Sequence, residues 1–363
     1  MTARRFLFAG LLASFLGCGP FLGYAPASAA VIGVVAPKSG PYAPLGAQIF
    51  QGARAAAEAA GDTVIEIDES CDEAGGVAAS KGLTEAKAAV AIGFLCVETL
   101  STALPQLKAS QIPAITLSVR SKILMEDTLR NGWPFFRMAP AEGMEAAKLS
   151  ETILAIWKAE PIAIVEDGTI YGRELASAIR QRLEPMGMQP IFTDTFRPGQ
   201  EQQVALVRRL AKAGATHVFV GGDRNDVSII ARDAASENIP LSIIAGDTMR
   251  AANRPVTLRD GVMAVALPDY SALPSAGAAV AALRAKNIDP DGYMLPAYAA
   301  TELAHQAIIA SAGKPAMAAI ASGSFNTAIG KIAFDKGHEL KDNPFRLLEW
   351  RGSVLVLSHP ATE

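Results

Sequence analysis

Metal-ligating and nucleophilic side chains are scarce in this chain, which has 3 cysteines and 4 histidines in 363 residues. His217, His305, His338 and His359 are scattered and lack the close spacing of a zinc site, so no metal centre is expected. No Gly-x-Gly-x-x-Gly follows the first strand, and neither a Walker A loop nor a Gly-x-Ser-x-Gly elbow occurs. An enzyme on an α/β scaffold therefore lacks its usual sequence marks. Beyond the first few residues there is no cluster of lysine and arginine, and the formal net charge is -3, which argues against nucleic acid as a partner.

Hydrophobic residues make up 50% of the chain, enough for two cores of ordinary size. The first 29 residues are set apart from the fold. Arg4-Arg5 precede an apolar run from Phe6 to Phe21, followed by the small-residue tail Ala25-Pro-Ala-Ser-Ala29. That is the plan of a secretory signal with cleavage after Ala29, and the apolar run is short of the roughly 20 residues a spanning helix needs. Phe15-Leu-Gly-Cys18 loosely resembles a lipobox, with Phe where that motif wants Leu, so acylation at Cys18 is the alternative processing. Cleavage after Ala29 leaves only Cys71 and Cys96, in an oxidising compartment and just past the ends of two neighbouring predicted strands. They are expected to pair, since a bridge needs Cα atoms only about 4.4 to 6.8 Å apart.

Three short β-rich runs organise the amino-terminal part: Val64 to Asp68, Ala89 to Gly93 and Pro113 to Leu117. Each ends in a polar or cysteine-bearing turn, and helical spacing fills the gaps, which predicts β-α-β-α-β and a parallel sheet. In such sheets ligands sit at the carboxyl ends of the strands. Val31 to Ala36 adds a strand buried on both faces, and Gly46 to Ala60 a helix closed by Gly61. Phe135 to Met138 and a helix over 142–159 follow. The rhythm then restarts with strands at 161–166, 189–196, 217–221 and 241–245 and helices at 171–183, 201–213 and 226–236. Two similar α/β lobes are expected. Beyond Asp247 a strand at 262–267, helices at 276–286 and 297–312, and strand candidates at 329–334, 346–350 and 354–357 read as additions to those lobes.

In order along the chain, Ser39-Gly-Pro41, Gly52-Ala-Arg54, Asp68 to Asp72 with its cysteine and Ile92 to Cys96 resemble the type I periplasmic binding proteins of ABC importers, leucine/isoleucine/valine branch. Ile162 to Glu166 with Tyr171-Gly172, Val220 to Gly222, Asp260-Gly261 and Pro296 to Thr301 continue the resemblance over the mature chain. It implies two Rossmann-like lobes with parallel central sheets, joined by three crossovers and closing like a hinged trap. Carried over, lobe 1 is 31–138 plus 268–340 and lobe 2 is 139–267 plus 341–363. The family's disulfide falls on Cys71 and Cys96. It further implies a monomer that captures a small molecule in the periplasm, without cofactor or catalysis, for an inner-membrane permease. A sensor using the same trap is the alternative.

The resemblance also assigns ligand-facing positions. Val97 stands where amino-acid binders have a carboxylate-holding serine, with Glu98 and Thr99 after it. Thr99 is expected to cap the helix there, whose N–H groups favour an anion. Glu98 either opposes that anion or simply faces solvent in the first turn. Ser118, Val119 and Arg120 fill the family's second carboxylate contact, where a guanidinium suits a carboxylate. Surface arginine is the plain alternative for Arg120. Tyr171 matches a ligand-facing tyrosine, and Asp247 matches the acid that holds an ammonium group. Asp223 stands where an aromatic residue is common and is expected to bind a ligand amine or to pair with Arg120. Leu45 replaces a common tryptophan. A polar, zwitterionic or multiply charged solute is expected.

Overall fold

The computed structural model describes residues 30–358. The expected leader, Cys18 and His359 lie outside them. The first sheet has the order β2-β1-β3-β4-β5, from β1 (Val31–Ala36), β2 (Thr63–Asp68), β3 (Val90–Gly93), β4 (Ala114–Thr116) and β5 (Phe135–Arg137), and every pairing is parallel. The second sheet runs β14-β13-β10-β9-β8-β6-β7. Its parallel part comprises β6 (Ile162–Glu166), β7 (Phe192–Thr195), β8 (His217–Gly221), β9 (Ser242–Ala245) and β10 (Met263–Ala266). β13 (Arg346–Arg351) extends it antiparallel to β10, and β14 (Val354–Leu357) pairs antiparallel to β13 at the edge. The α/β class and parallel central sheets expected from the β-branched runs are therefore present. Each sheet is covered on both faces, which is why strands such as β1 and β3 carry no polar alternation.

Helix α1 (Ala43–Ala60) buries Ile49, Phe50 and Ala53 on β1 and ends at Gly61, whose φ of 76° suits a left-handed cap. Against it lies α10 (Met294–Ser311), an Ala-rich helix that arrives late in the sequence. The two backbones approach so closely that a Cβ on Gly52 would stand 2.1 Å from the Met294 carbonyl oxygen, so only glycine fits. Disulfide Cys71–Cys96 is formed, with Cα atoms 5.1 Å apart, as compartment and strand ends implied. It joins the turns after β2 and β3.

Apart from short 3-10 turns, three elements escaped the sequence patterns: α4 (Lys122–Asn131), α11 (Met317–Ser322) and β11 (Ser324–Thr327). Each is short. α4 buries only Leu124, Met125 and Thr128 behind its Ser121 cap, too little for a helical stripe to stand out. β11 pairs with β12 (Gly330–Ala333) as a separate ribbon that packs Phe325 and Ile332 on the α1–α10 core.

The chain passes between the sheets after β5, again after β10, and again after β12. The first and third passages are stitched together. Arg137, 1% exposed, donates from Nη1 to the Arg120 carbonyl (3.0 Å) and from Nη2 to the Ser121 carbonyl (2.7 Å), and lies 3.4 Å from Glu339. His338 donates from Nδ1 to the Phe135 carbonyl (2.9 Å) and stacks on Phe136 with ring centroids 4.5 Å apart. Asn343 adds a bond from its amide to the Met144 carbonyl (2.7 Å).

Candidate functional site

The carboxyl ends of the second sheet's strands hold a polar cluster built on one carboxylate. Glu145, in the first turn of α5 (Met144–Trp157), accepts on Oε1 both the Tyr171 hydroxyl (2.7 Å) and the Asp247 N–H (2.8 Å). Tyr171 is presented by the start of α6 (Ile170–Leu183), capped by Thr169. Asp247 opens a 3-10 turn after β9 and accepts the Leu267 N–H on Oδ1 (2.9 Å), which ties it to the second passage between sheets. Gly246 makes the convergence possible: a Cβ there would stand 2.3 Å from both Glu145 Oε1 and the Tyr171 oxygen.

Burial raises the Glu145 carboxyl above its usual range, opposed by the bonds from Tyr171 and Asp247 and by the charge of Arg120 on the first sheet's side. Burial, then the Glu145 charge, also raises the Tyr171 phenol, so it stays a neutral donor. Glu145, Tyr171 and Asp247 thus meet at one carboxylate, and the charge of Arg120 acts on Glu145 from the first sheet's side. Glu145 was missed because an acid in the first turn of a helix reads as favourable to the dipole and nothing more.

On the first sheet's side the expected residues divide. Ser118 is half-buried, and its hydroxyl lies 3.1 Å from that of Tyr293, a residue that no sequence pattern marked. Arg120 is exposed. Thr99 and Val119, expected to face a ligand, are interior at 0% and 2% exposure. Thr99 does not cap α3 (Val97–Ala109), because Cys96 is the N-cap and Thr99 is already inside the helix, its hydroxyl 3.4 Å from the Asp72 carbonyl. Val119 turns into the core beside Leu124 because Thr116 Oγ1 accepts both its N–H (3.0 Å) and that of Ser118 (3.2 Å), curling the turn inward. Val97 packs against the same core, and Glu98 is exposed on the first turn.

Asp223 caps α8 (Arg224–Ser236) by accepting the Asp226 N–H (2.9 Å), which occupies one of its oxygens. Among the described residues it makes no pair with Arg120. Its loop is joined to the Asp247 turn by Thr248, which donates to the Gly222 carbonyl (2.7 Å).

Beneath the disulfide, Glu69 is 2% exposed and accepts the N–H groups of Leu95 (2.8 Å) and Cys96 (3.0 Å). It holds the turn that leads into α3. Burial pushes its carboxyl from 4.5 up to about 7, against those two bonds and helped by Asp68. Its folded value exceeds its unfolded one, so the folded state binds the extra proton. Its contribution to stability is then greatest below about pH 4.5 and falls as pH rises toward about 7. Glu69→Gln is expected to remove on the order of 3 kcal/mol of that pH dependence, read as urea midpoints at several pH values. Parallel pH profiles for wild type and variant would show that Glu69 does not titrate this way.

The comparisons with known proteins agree with this architecture. The profile of the family described as "Periplasmic binding protein" matches residues 30–353. The chain belongs to that family. Among characterised relatives, this binding protein is 28% identical over 339 residues to an amino acid binding protein of Pseudomonas aeruginosa, covering 88% of this chain and 90% of the relative. It is 26% identical over 347 residues to the Leu/Ile/Val-binding protein of Escherichia coli K12, covering 89% and 91%. A putative branched-chain amino acid ABC transporter structure from Rhodospirillum rubrum superposes with a TM-score of 0.77 at 14% identity, covering 91% of this chain and all of that one. A Rhodopseudomonas palustris solute binding protein in complex with 4-hydroxybenzoate gives 0.62 at 16%, covering 91% and 95%. At such identities the structures establish the binding protein's fold alone. No helix of its described residues is long and apolar enough to cross a membrane.

Proposed function

We propose that the protein is the periplasmic solute-binding component of an ABC importer, a monomer that closes on a small polar, amino-acid-like or charged ligand and hands it to an inner-membrane permease. No catalytic step is involved. One lobe is 31–138 plus 268–340, the other 139–267 plus 341–363, and the stitched passages around Arg137 and Glu339 serve as the hinge. Ser118, Arg120 and the first turn of α3 at Val97 and Glu98 face the ligand from one side. Tyr171, Asp223 and Asp247 face it from the other, joined by Glu145 and Tyr293.

The reading is carried by the Glu145–Tyr171–Asp247 cluster lying opposite Arg120, which gives the gap between the sheets a cationic and an anionic wall. Such a gap orients a zwitterion, since buried charges must be paired.

A thermal-shift screen with amino acids, carboxylates, amides and aromatic acids finds the ligand, because a solute at 100 times its Kd stabilises by about 2.7 kcal/mol. Titration calorimetry should then show about a 10-fold to 100-fold loss of affinity in Arg120→Ala and in Asp247→Asn, in line with a charged hydrogen bond. Undiminished affinity in both variants would remove the polar clamp.

A further inference from the structure

Where the three passages meet, the chain encloses a cavity of about 260 Å³. Every passage supplies a wall: Met138 the first, Pro268 the second, and Leu340 with Asp342 the third. The ribbon of β11 and β12 closes a further side with Ile332. The volume lies just under the roughly 300 Å³ at which pockets for drug-sized ligands begin, so the space suits a smaller molecule. None of the residues assigned above to the ligand cleft lines it.

The lining is largely apolar, while its rim holds two cations, Lys331 and Arg346, against a single acid, Asp342. All three side chains are exposed, and among the described residues none of them is in an ion pair. Arg346 is nevertheless held in place: Nη1 donates to the Phe345 carbonyl (2.9 Å) and to that of Asn343, which leaves Nε and Nη2 for another acceptor. Tyr270 also lines the cavity, and its hydroxyl has no hydrogen-bond partner among the described residues. An apolar space therefore has a tethered guanidinium, an ammonium and a phenol around it.

We propose that this cavity is a separate binding site, at the hinge, for a small amphipathic monocarboxylate: an aliphatic acid of medium chain length whose carboxylate meets Arg346 and Lys331 while its stem lies among Met138, Ile332 and Leu340. A guanidinium offers a carboxylate two parallel donors, and the apolar walls take the methylenes out of water. With Asp342 set against them, the two rim cations leave one positive charge for one carboxylate to balance. A second carboxylate on the stem would be buried without a partner. The proposal rests on the reading of the three passages as a hinge. Two hydrogen bonds join the cavity's walls to the Glu145 cluster. The Leu267 N–H, next to Pro268, donates to Asp247 Oδ1 (2.9 Å), and Asn343, between Asp342 and Pro344, donates its side-chain amide to the Met144 carbonyl (2.7 Å). An occupant thus touches the segments that turn when the lobes close, and it stiffens them. Hinge site and cleft are coupled in this way, each ligand changing the other's affinity by the same factor.

Calorimetry on the full chain with octanoate and octanamide tests the site, because the two share a stem and differ in charge. Octanoate is expected to bind at least tenfold tighter than octanamide, and Arg346→Gln combined with Lys331→Gln should weaken it at least tenfold. Both side chains are exposed, so core packing is not at stake. Arg120→Ala, in the cleft, should leave octanoate affinity within twofold. Hydrogen exchange of the octanoate-saturated chain should slow in all three passages together. No octanoate binding, equal binding of octanamide, or binding untouched by the double substitution overturns the site. Slowing confined to one passage overturns its place at the hinge. If Arg120→Ala abolishes octanoate binding and the rim variant does not, the acid sits in the cleft: solute capture stands while the hinge site falls.

Discussion

Arg137→Ala is expected to lose roughly 3 to 5 kcal/mol of folding stability, the cost of breaking a buried ion pair from one side. The guanidinium is 1% exposed, while Glu339 beside it keeps only 20% of its side-chain surface. Deletion leaves that carboxylate half-desolvated without its counter-ion. It also strips the Arg120 and Ser121 carbonyls of their donors. Burial lowers the Arg137 pKa and Glu339 opposes that shift, which shows how costly the charge is in place and why it needs its partner. A double variant, Arg137→Met with Glu339→Leu, removes both charges and should recover much of the loss, since an apolar pair of similar volume often matches a buried ion pair. Urea unfolding of the two variants checks this. A loss below about 1 kcal/mol for Arg137→Ala would place the pair among weak surface contacts.

Reduction of Cys71–Cys96 is expected to cost about 3.5 kcal/mol, from the chain-entropy relation applied to a loop of this size. The bridged residues are 25 apart in sequence. The folded turn, however, has a second anchor in the Glu69 carboxylate, which grips Leu95 and Cys96 from below. The loss should therefore appear in stability and much less in ligand affinity. Chemical denaturation with and without reductant, alongside calorimetry under both conditions, reads the two effects separately. A collapse of affinity on reduction would mean that the bridge, and not Glu69, shapes the start of α3.

The strands and the bridge were legible because their causes are local. Runs such as Val31 to Ala36 are apolar without alternation only when both faces are covered, and the two cysteines follow β2 and β3, which prove to flank β1 and not to adjoin, yet still bring their turns together at the same sheet end. The site was legible in part. Tyr171 and Asp247 come together, yet they do so through Glu145, whose role depends on where the first passage sets α5 down. Tyr270 and Tyr293 owe their positions to the later passages, which no local pattern encodes. Thr99 and Val119 went the other way: Glu98 and Arg120 beside them are exposed, but a helical turn and a Thr116-centred curl direct them inward.

Each half of this molecule is finished by its last third. β13 and β14 cover the flank of β10, and α10 lies along the Gly52 surface of α1. Neither half can seal until residues beyond 294 are in place. Until then the β10 flank offers bare main-chain groups and the α1 surface stays greasy. Such long-range closure is slow by its topology, so each half reaches its final form only once the end of the sequence has docked.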